Sequence, residues 1–280
     1  MSFSPEWLAL REPVDHRSRC PVLAKRVAEH FGSLADIAVV DLGCGARSNL
    51  RAMAPLLGRR QHWTLVDHDD GLLAVARRHL LAWGRLLAET DREITVERED
   101  GGVVRRMTIA FRSADLARDL EAAIPERARL VTAAAFFDLV SPRFIERLAR
   151  IAVSRAANLY TTLTFNGAQE WRPHHPADAD MLRSFCRHQG GDKGFGPAAG
   201  PDAPALLAHA FRAIGYSVEE GDSPWVLGPD DSALIADLAA GFAGAVAERS
   251  EVPPETIAAW RSEMRTRAIV GHTDTLALRS

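Results

Sequence analysis

Asp41, Gly43, Gly45 and Asp67 are the residues of this chain whose types and spacing best suit chemistry. The apolar run Ile37-Ala38-Val39-Val40 leads into Asp41, and the glycines follow at once. A buried strand that ends in closely spaced glycines lets the backbone pass very near a ligand. A second apolar run, Trp63-Thr64-Leu65-Val66, ends in Asp67. That acid lies roughly 20 residues past the glycines, where the next strand of a βαβ unit offers a carboxylate to a ribose. The pair points to a nucleotide-like cofactor. Asp41 narrows the choice. Beside a dinucleotide pyrophosphate it would meet like charge, whereas beside a ligand carrying a sulfonium and an ammonium it is favourable. The third glycine of the dinucleotide pattern would fall at position 48, which is Ser48. Asp41 and Ser48 therefore argue against a nicotinamide-dependent oxidoreductase.

The segment Asp41-Leu42-Gly43-Cys44-Gly45 resembles motif I of the class I S-adenosylmethionine (SAM) dependent methyltransferases, and Asp67 resembles their ribose-binding acid. Where that family often has a further glycine, this chain has Arg47, which either meets the cofactor's carboxylate or points to solvent. The resemblance implies SAM as cofactor, in a crevice at the carboxyl ends of the strands. It implies that Cys44 and His68 join the glycines and Asp67 there, with Asp115 and Leu116 near the adenine and Ala133 and Ala134 at the fourth strand's exit. On the residues alone, the alternative readings are a turn carboxylate for Asp67 and a helix N-cap for Asp115. Cys44 reads as a small space-filler, with no base beside it. The likeness covers most of residues 20–280, and its motifs are specific only at strands one and two.

These residues need an α/β frame. The pattern predicts a doubly wound, mostly parallel seven-stranded sheet with helices on both faces, the last strand antiparallel as the resemblance implies. At 280 residues and 47% hydrophobic, the chain can bury the core of one domain. Residues 1–31 read as a helical lead-in, with Val22, Leu23, Val27 and Phe31 at helical spacing. Strands follow at 37–41 and 63–67, and helices begin near Ser48 and Gly71. Asp100-Gly101 between extended runs predicts a hairpin that feeds the third parallel strand. A fourth strand lies within 129–137. Ser141-Pro142 opens a helix, and a fifth strand spans 158–165. Insertions are expected at 166–200, read as irregular, and at 229–268, read as two helices before a final strand near 272–278. Together they would form a lid over the substrate.

The acceptor is the less readable half. Methyl transfer from an activated donor mainly requires alignment and exclusion of water, with a general base where the acceptor starts protonated. His174 or His175 is the candidate base in the 166–200 segment; the alternative puts both on the surface. Phe137, Trp171, Phe195 and Trp225 are candidate substrate-pocket walls. Asp222 and His272 lie where the sixth and seventh strands could approach it. His174, His175 and Asp178 have no diagnostic metal spacing. The fourth-strand exit, Ala134-Ala135-Phe136-Phe137-Asp138, lacks the Asn/Asp-Pro-Pro-aromatic signature of base and glutamine methylators, which leaves a small-molecule acceptor by elimination. Apolar positions of the 231–268 helices (Leu234, Leu238, Phe242, Val246, Ile257, Trp260, Met264) are core, lid packing or a homodimer face.

The net charge of −3 gives no footprint for nucleic acid. Cys20, Cys44 and Cys186, odd in number and far apart, suggest reduced thiols in a cytoplasmic protein. No run of about 18 apolar residues suggests a membrane span. A SAM-fold binding or regulatory protein without methyl transfer is the alternative from another class. An RNA or protein methyltransferase is disfavoured by charge.

Overall fold

A computed structural model describes residues 4–46, 48–248 and 251–279. Two helices, α1 (Pro5–Arg17) and α2 (Pro21–Phe31), lead into β1 (Asp36–Leu42), α3 (Ser48–Met53), β2 (Arg60–Asp67) and α4 (Asp70–Trp83). An edge hairpin system follows: β3 (Arg85–Glu89), β4 (Glu93–Asp100) and β5 (Val103–Ser113). Next come α5 (Leu116–Ala123), β6 (Leu130–Ala134), α6 (Pro142–Arg155), β7 (Asn158–Arg172) and α7 (Asp178–Gln189). The chain ends with α8 (Ala203–Ala213), β8 (Tyr216–Asp222), β9 (Trp225–Leu227), α9 (Ser232–Glu248), α10 (Pro254–Ser262) and β10 (Arg267–Arg279).

The strands form one sheet in the order β3-β4-β5-β2-β1-β6-β7-β10-β8, with β9 paired to β10. The central β5-β2-β1-β6-β7 block is parallel. β10 runs antiparallel to both β7 and β8. This is the expected doubly wound sheet, with ten strands among the described residues instead of seven. β4 and its Asp100-Gly101-Gly102 turn onto β5 stand where the hairpin signal put them. β3 was not legible, because every residue of it is exposed and none carries a period-2 apolar signal.

Three cores hold the layers. α2, α3 and α4 cover one sheet face with Val27, Phe31, Leu50 and Leu80 around Val39 and Trp63. α5, α6 and α8 cover the other with Leu120, Leu148 and Phe211 around Val40 and Val131. Ser141 caps α6 by accepting the Phe144 amide, and Ala156 closes it in the left-handed conformation. The third core lies under α7, α9 and α10, where Trp171, Met181, Phe242 and Trp260 are buried together.

Two boundaries differ from the sequence reading. Residues 166–200 are irregular only around 173–177 and after α7. β7 continues to Arg172 because β10 pairs with it out to Arg267, and α7 follows. Gly167, at φ 87°, and a register shift at Val270/His272 bend the pair midway, which disguises the strand. The last helix stops at Ser262 instead of running to 268, since Arg267 already belongs to β10. In the 231–268 helices, Leu234, Phe242, Val246, Ile257 and Trp260 are buried within the chain and Leu238 packs against the same core, while Met264 is exposed. No helix among the described residues is long and apolar enough to cross a membrane.

Candidate functional site

A crevice of about 470 Å³ opens at the carboxyl ends of β1, β2, β5 and β6. Its floor is the turn after β1. Gly43 and Gly45 hold φ of 61° and 50°, where a Cβ is strained. A Cβ on Gly43 would also come within 2.7 Å of the Phe136 ring. The turn is braced by its neighbour strand: the Cys44 amide donates to the Val66 carbonyl at 3.0 Å. Asp67 then spans the gap between the two strand ends. Its Oδ2 accepts the Gly45 amide at 2.9 Å and its Oδ1 the Asp69 amide at 3.1 Å. His68 Nδ1 stands 3.3 Å from the same carboxylate.

Gly43, Cys44, Gly45, Asp67, His68, Asp115, Leu116 and Ala134 all line this crevice. Asp115 caps α5 as well, accepting the Ala117 amide at 2.9 Å. Burial first, and Asp41 second, push the Cys44 thiol well up, so it stays protonated. Arg47 lies outside the described residues. Ala133 is buried in the core beneath the lining.

Asp41 corrects the sequence reading. It does not line the crevice; it is fully buried beneath the turn. Asn49 Nδ2 donates to its Oδ1 at 2.6 Å and to Thr132 Oγ1 at 3.0 Å, while Arg19 donates to Asn49 Oδ1 at 2.9 Å. Asp41 Oδ2 has no partner. Burial pushes this carboxyl up to about 7, against the pull of the Asn49 hydrogen bond and the Arg19 charge. Its negative charge therefore reaches the turn only through a costly buried group.

The expected acceptor residues are dispersed. His174 and His175 do not line the crevice, which corrects their reading as bases. They lie in the loop that leads into α7, with His174 Nδ1 3.5 Å from Asp178 and His175 Nδ1 accepting the Ala177 amide at 3.1 Å. Trp171 is buried in the third core, 5.2 Å from the Trp260 ring, and Phe137 is buried in the core beside β6. Trp225 is buried with its Nε1 donating to Asp15 at 3.1 Å. Phe195 does reach the crevice. It sits in the loop after α7, edge-on to Phe136 and Phe144 at 5.8 and 5.2 Å. Asp192 folds that loop by accepting the Gly194 and Gly196 amides at 2.7 and 3.0 Å.

The outer wall is the helix read only as a lead-in. Leu8, Ala9, Arg11, Glu12 and Asp15 of α1 line the crevice. Glu12 pairs with Arg51, and His16 Nε2 stands 3.0 Å from Ser48 Oγ, so α1 is clamped to α3 and the glycine turn. The available signal was a charged i,i+4 pair, Arg11 and Asp15, which the fold buries. Ala135 at φ 50° and Leu163 at φ 58° are left-handed non-glycine residues at the tip of β6 and within β7, strain of the kind that gathers at functional sites.

No family model matches the chain, and no curated protein matches it by sequence. Solved structures do match in shape. A cyclopropane-fatty-acyl-phospholipid synthase-like protein from Lactobacillus casei superposes with a TM-score of 0.53 at 16% identity, covering 99% of this chain and 95% of that one. The cyclopropane synthase MmaA2 from Mycobacterium tuberculosis gives a TM-score of 0.52 at 12% identity, over 98% and 94%. The YcgJ protein of Bacillus subtilis gives 0.51 at 11% identity, over 95% and 99%. At these identities it is the architecture that is shared, and this chain has the fold of the class I SAM-dependent methyltransferases.

Proposed function

We propose that the chain binds SAM in the β1–β2 crevice and transfers its methyl group to a small-molecule acceptor. The observation that carries the reading is Asp67. It fixes the glycine turn through Gly45 while lining the cavity at the tip of β2. A carboxylate so held is positioned to accept two ribose hydroxyls. Further support comes from Asp115 and the Leu116 amide, which border the cavity where an adenine amine and ring nitrogen would need an acceptor and a donor. Gly43 and Gly45 allow close backbone approach to the cofactor. These residues fit the cofactor.

When bound, SAM supplies a methyl group already activated by a sulfonium. The work left to the protein is alignment and exclusion of water. α1 and the Lys193-Gly194-Phe195 loop wall the crevice and do the second task. The acceptor enters between them, over the tip of β6.

Titration calorimetry with S-adenosylhomocysteine (SAH), SAM and a nicotinamide dinucleotide tests this. SAH and SAM are expected to bind at micromolar strength or tighter and the dinucleotide not to bind. The reverse order overturns the proposal. SAH binding without methyl release across a broad acceptor panel would favour a cofactor-binding protein that transfers nothing.

A further inference from the structure

The first helix rests on the glycine turn itself. A Cβ on Gly45 would stand 3.4 Å from Leu8 Cδ1, so the space that this glycine leaves open is the space that Leu8 faces. Leu8, Ala9, Arg11, Glu12 and Asp15 continue that wall along the crevice. A ligand seated on the turn is therefore in contact with α1, and the N-terminal end of α1 is what it meets at Gly45.

α1 is built in two unequal halves. Pro13, inside the helix, has no N–H to give the Ala9 carbonyl, and its ring crowds that turn, so the helix is weakest between residues 9 and 13. Before the break, none of residues 4–10 is buried, and Trp7 and Leu10 pack only partly against the third core. Among the described residues, 5–10 form no hydrogen bond or ion pair beyond the helix and its cap, Ser4. After the break the helix is fixed. Val14 and Asp15 are buried, His16 Nε2 stands 3.0 Å from Ser48 Oγ, and Arg17 donates to Asp231 at 2.6 Å. The Cys20 amide then ties the following turn to Asp274 at 2.9 Å.

The break is also braced. Arg11 and Asp15 straddle Pro13, with Nε and Nη2 of Arg11 donating to the two carboxylate oxygens at 2.9 and 3.2 Å. Trp225 on β9 attaches that pair to the sheet. Its Nε1 donates to Asp15 at 3.1 Å, and its ring centroid lies 5.0 Å from the Arg11 guanidinium. A bidentate pair across a missing helical bond fixes the angle between the two halves with directional bonds.

We propose that residues 5–10 of α1 are a lid over the cofactor, hinged at Pro13 and braced by Arg11, Asp15 and Trp225. The inference rests on the SAM reading above and turns its static wall into a gate. Lifting residues 5–10 takes Leu8 off the glycine turn and admits SAM. Closing them excludes water from the sulfonium, and lifting them again releases S-adenosylhomocysteine. Lids of this kind move in microseconds to milliseconds, and their opening often limits turnover. Trp225 is then a positioning residue. It is buried and does not line the crevice, and it acts there through Asp15 and Arg11, which do.

Amide hydrogen exchange on the free protein tests the hinge without any ligand. Residues 9–12 are expected to exchange at least about tenfold faster than residues 15–17, and Pro13→Ala, which restores the bond to the Ala9 carbonyl, should remove most of that difference. Stopped-flow binding of SAH tests the gate. Pro13→Ala should slow association and dissociation together by about tenfold and leave Kd within threefold, a split that a merely structural proline would not produce. Trp225→Phe, which loses the bond to Asp15, should raise the dissociation rate at least about threefold. If Trp225→Phe fails to fold, Arg11→Met removes the same brace and carries the same expectation. Even exchange along α1 in the free protein overturns the lid. So do SAH rates within twofold of wild type in both Pro13→Ala and the brace variant, and that result leaves the SAM reading standing. Failure of the wild type to bind SAH overturns the SAM reading, and the exchange measurement then decides the hinge by itself.

Discussion

The two halves of the crevice are assembled on different length scales. On the cofactor side, Asp67 reaches Gly45 across 22 residues, and Asn49 reaches Asp41 across 8. On the acceptor side, Trp225 bonds Asp15 of the crevice wall across 210 residues. The first half is a strand, a turn and the next strand, so its ligand-facing groups sit in one stretch of chain. The second exists only after α1, the β6 exit, the loop after α7 and β9 have come together. A turn next to a parallel strand pair can be fixed by local sequence, while a pocket wall made by opposite ends of the chain depends on the whole fold.

The largest expected effect tests whether the halves are energetically separate. Trp171 lies 5.9 Å from the Phe242 ring and 5.2 Å from Trp260, with the Arg265 guanidinium 5.8 Å away. Trp171→Ala removes the centre of that cluster and should cost about 3–5 kcal/mol of stability. Under conditions where the variant is folded, SAH affinity should stay within threefold, because none of these residues borders the glycine turn. Calorimetry beside thermal unfolding checks both. A loss of SAH affinity matching the loss of stability would show that the two halves act as one unit.

The same comparison explains what is legible in the sequence. Gly43, Gly45 and Asp67 can be read as crevice residues because each lies at a strand end, and strand ends are marked by apolar runs breaking at Gly or Asp. The Asp100-Gly101 hairpin and the Ser141-Pro142 helix start are local for the same reason. β7 beyond Phe165 is not local. Asn166 to Arg172 is a polar stretch that becomes a strand only because β10 supplies its hydrogen bonds. His174 and His175 look like chemistry in a loop; they do lie in one, but it leads into α7 and turns them away from the crevice lining. Arg11 and Asp15 look like a solvated i,i+4 pair until the rest of the fold buries them. Asp41 is at the predicted strand tip, but strand alternation turns its side chain under the turn, toward Asn49 and Thr132.

Buried titratable groups divide along the same line. Asp41 is held at about 7 against an unfolded value near 3.8, so the folded state binds its proton more tightly. The stability it contributes is complete below about pH 4 and is lost as the pH rises to 7. On the acceptor side, Asp138 at about 6 acts in the same direction between pH 4 and 6. His272, lowered to about 3 from 6.5, acts oppositely, since the unfolded chain takes up that proton between pH 3 and 6.5. The acceptor pair largely cancels, and Asp41 sets the slope together with Asp274, whose carboxyl burial also raises. Asp41→Asn keeps an acceptor for Asn49 and removes the charge. It should flatten the fall in stability between pH 5 and 8. At pH 8 it should gain about 2 kcal/mol, or roughly 4–8 °C in thermal midpoint. A wild-type midpoint that does not fall across that range would mean that the cancelling pair is not confined to the acceptor side.

The smallest effect asks whether a residue in the local half does two jobs. Asp115 caps α5 through the Ala117 amide and also lines the crevice. Asp115→Ala removes both functions, at a cost of about 1 kcal/mol of stability for the cap. SAH affinity should fall a few-fold as well, because an adenine amine would lose its acceptor. Asp115→Asn retains an oxygen that can serve either role, so both quantities should stay near wild type. Two variants separate the roles where one could not: if Ala loses stability with no change in affinity, Asp115 is a cap alone and the adenine contact passes to the Leu116 amide. If both measurements fall together in Ala and recover together in Asn, one carboxylate serves the helix and the ligand at once. That economy is available to a site written in consecutive residues, and it is not available to one whose members sit at opposite ends of the chain.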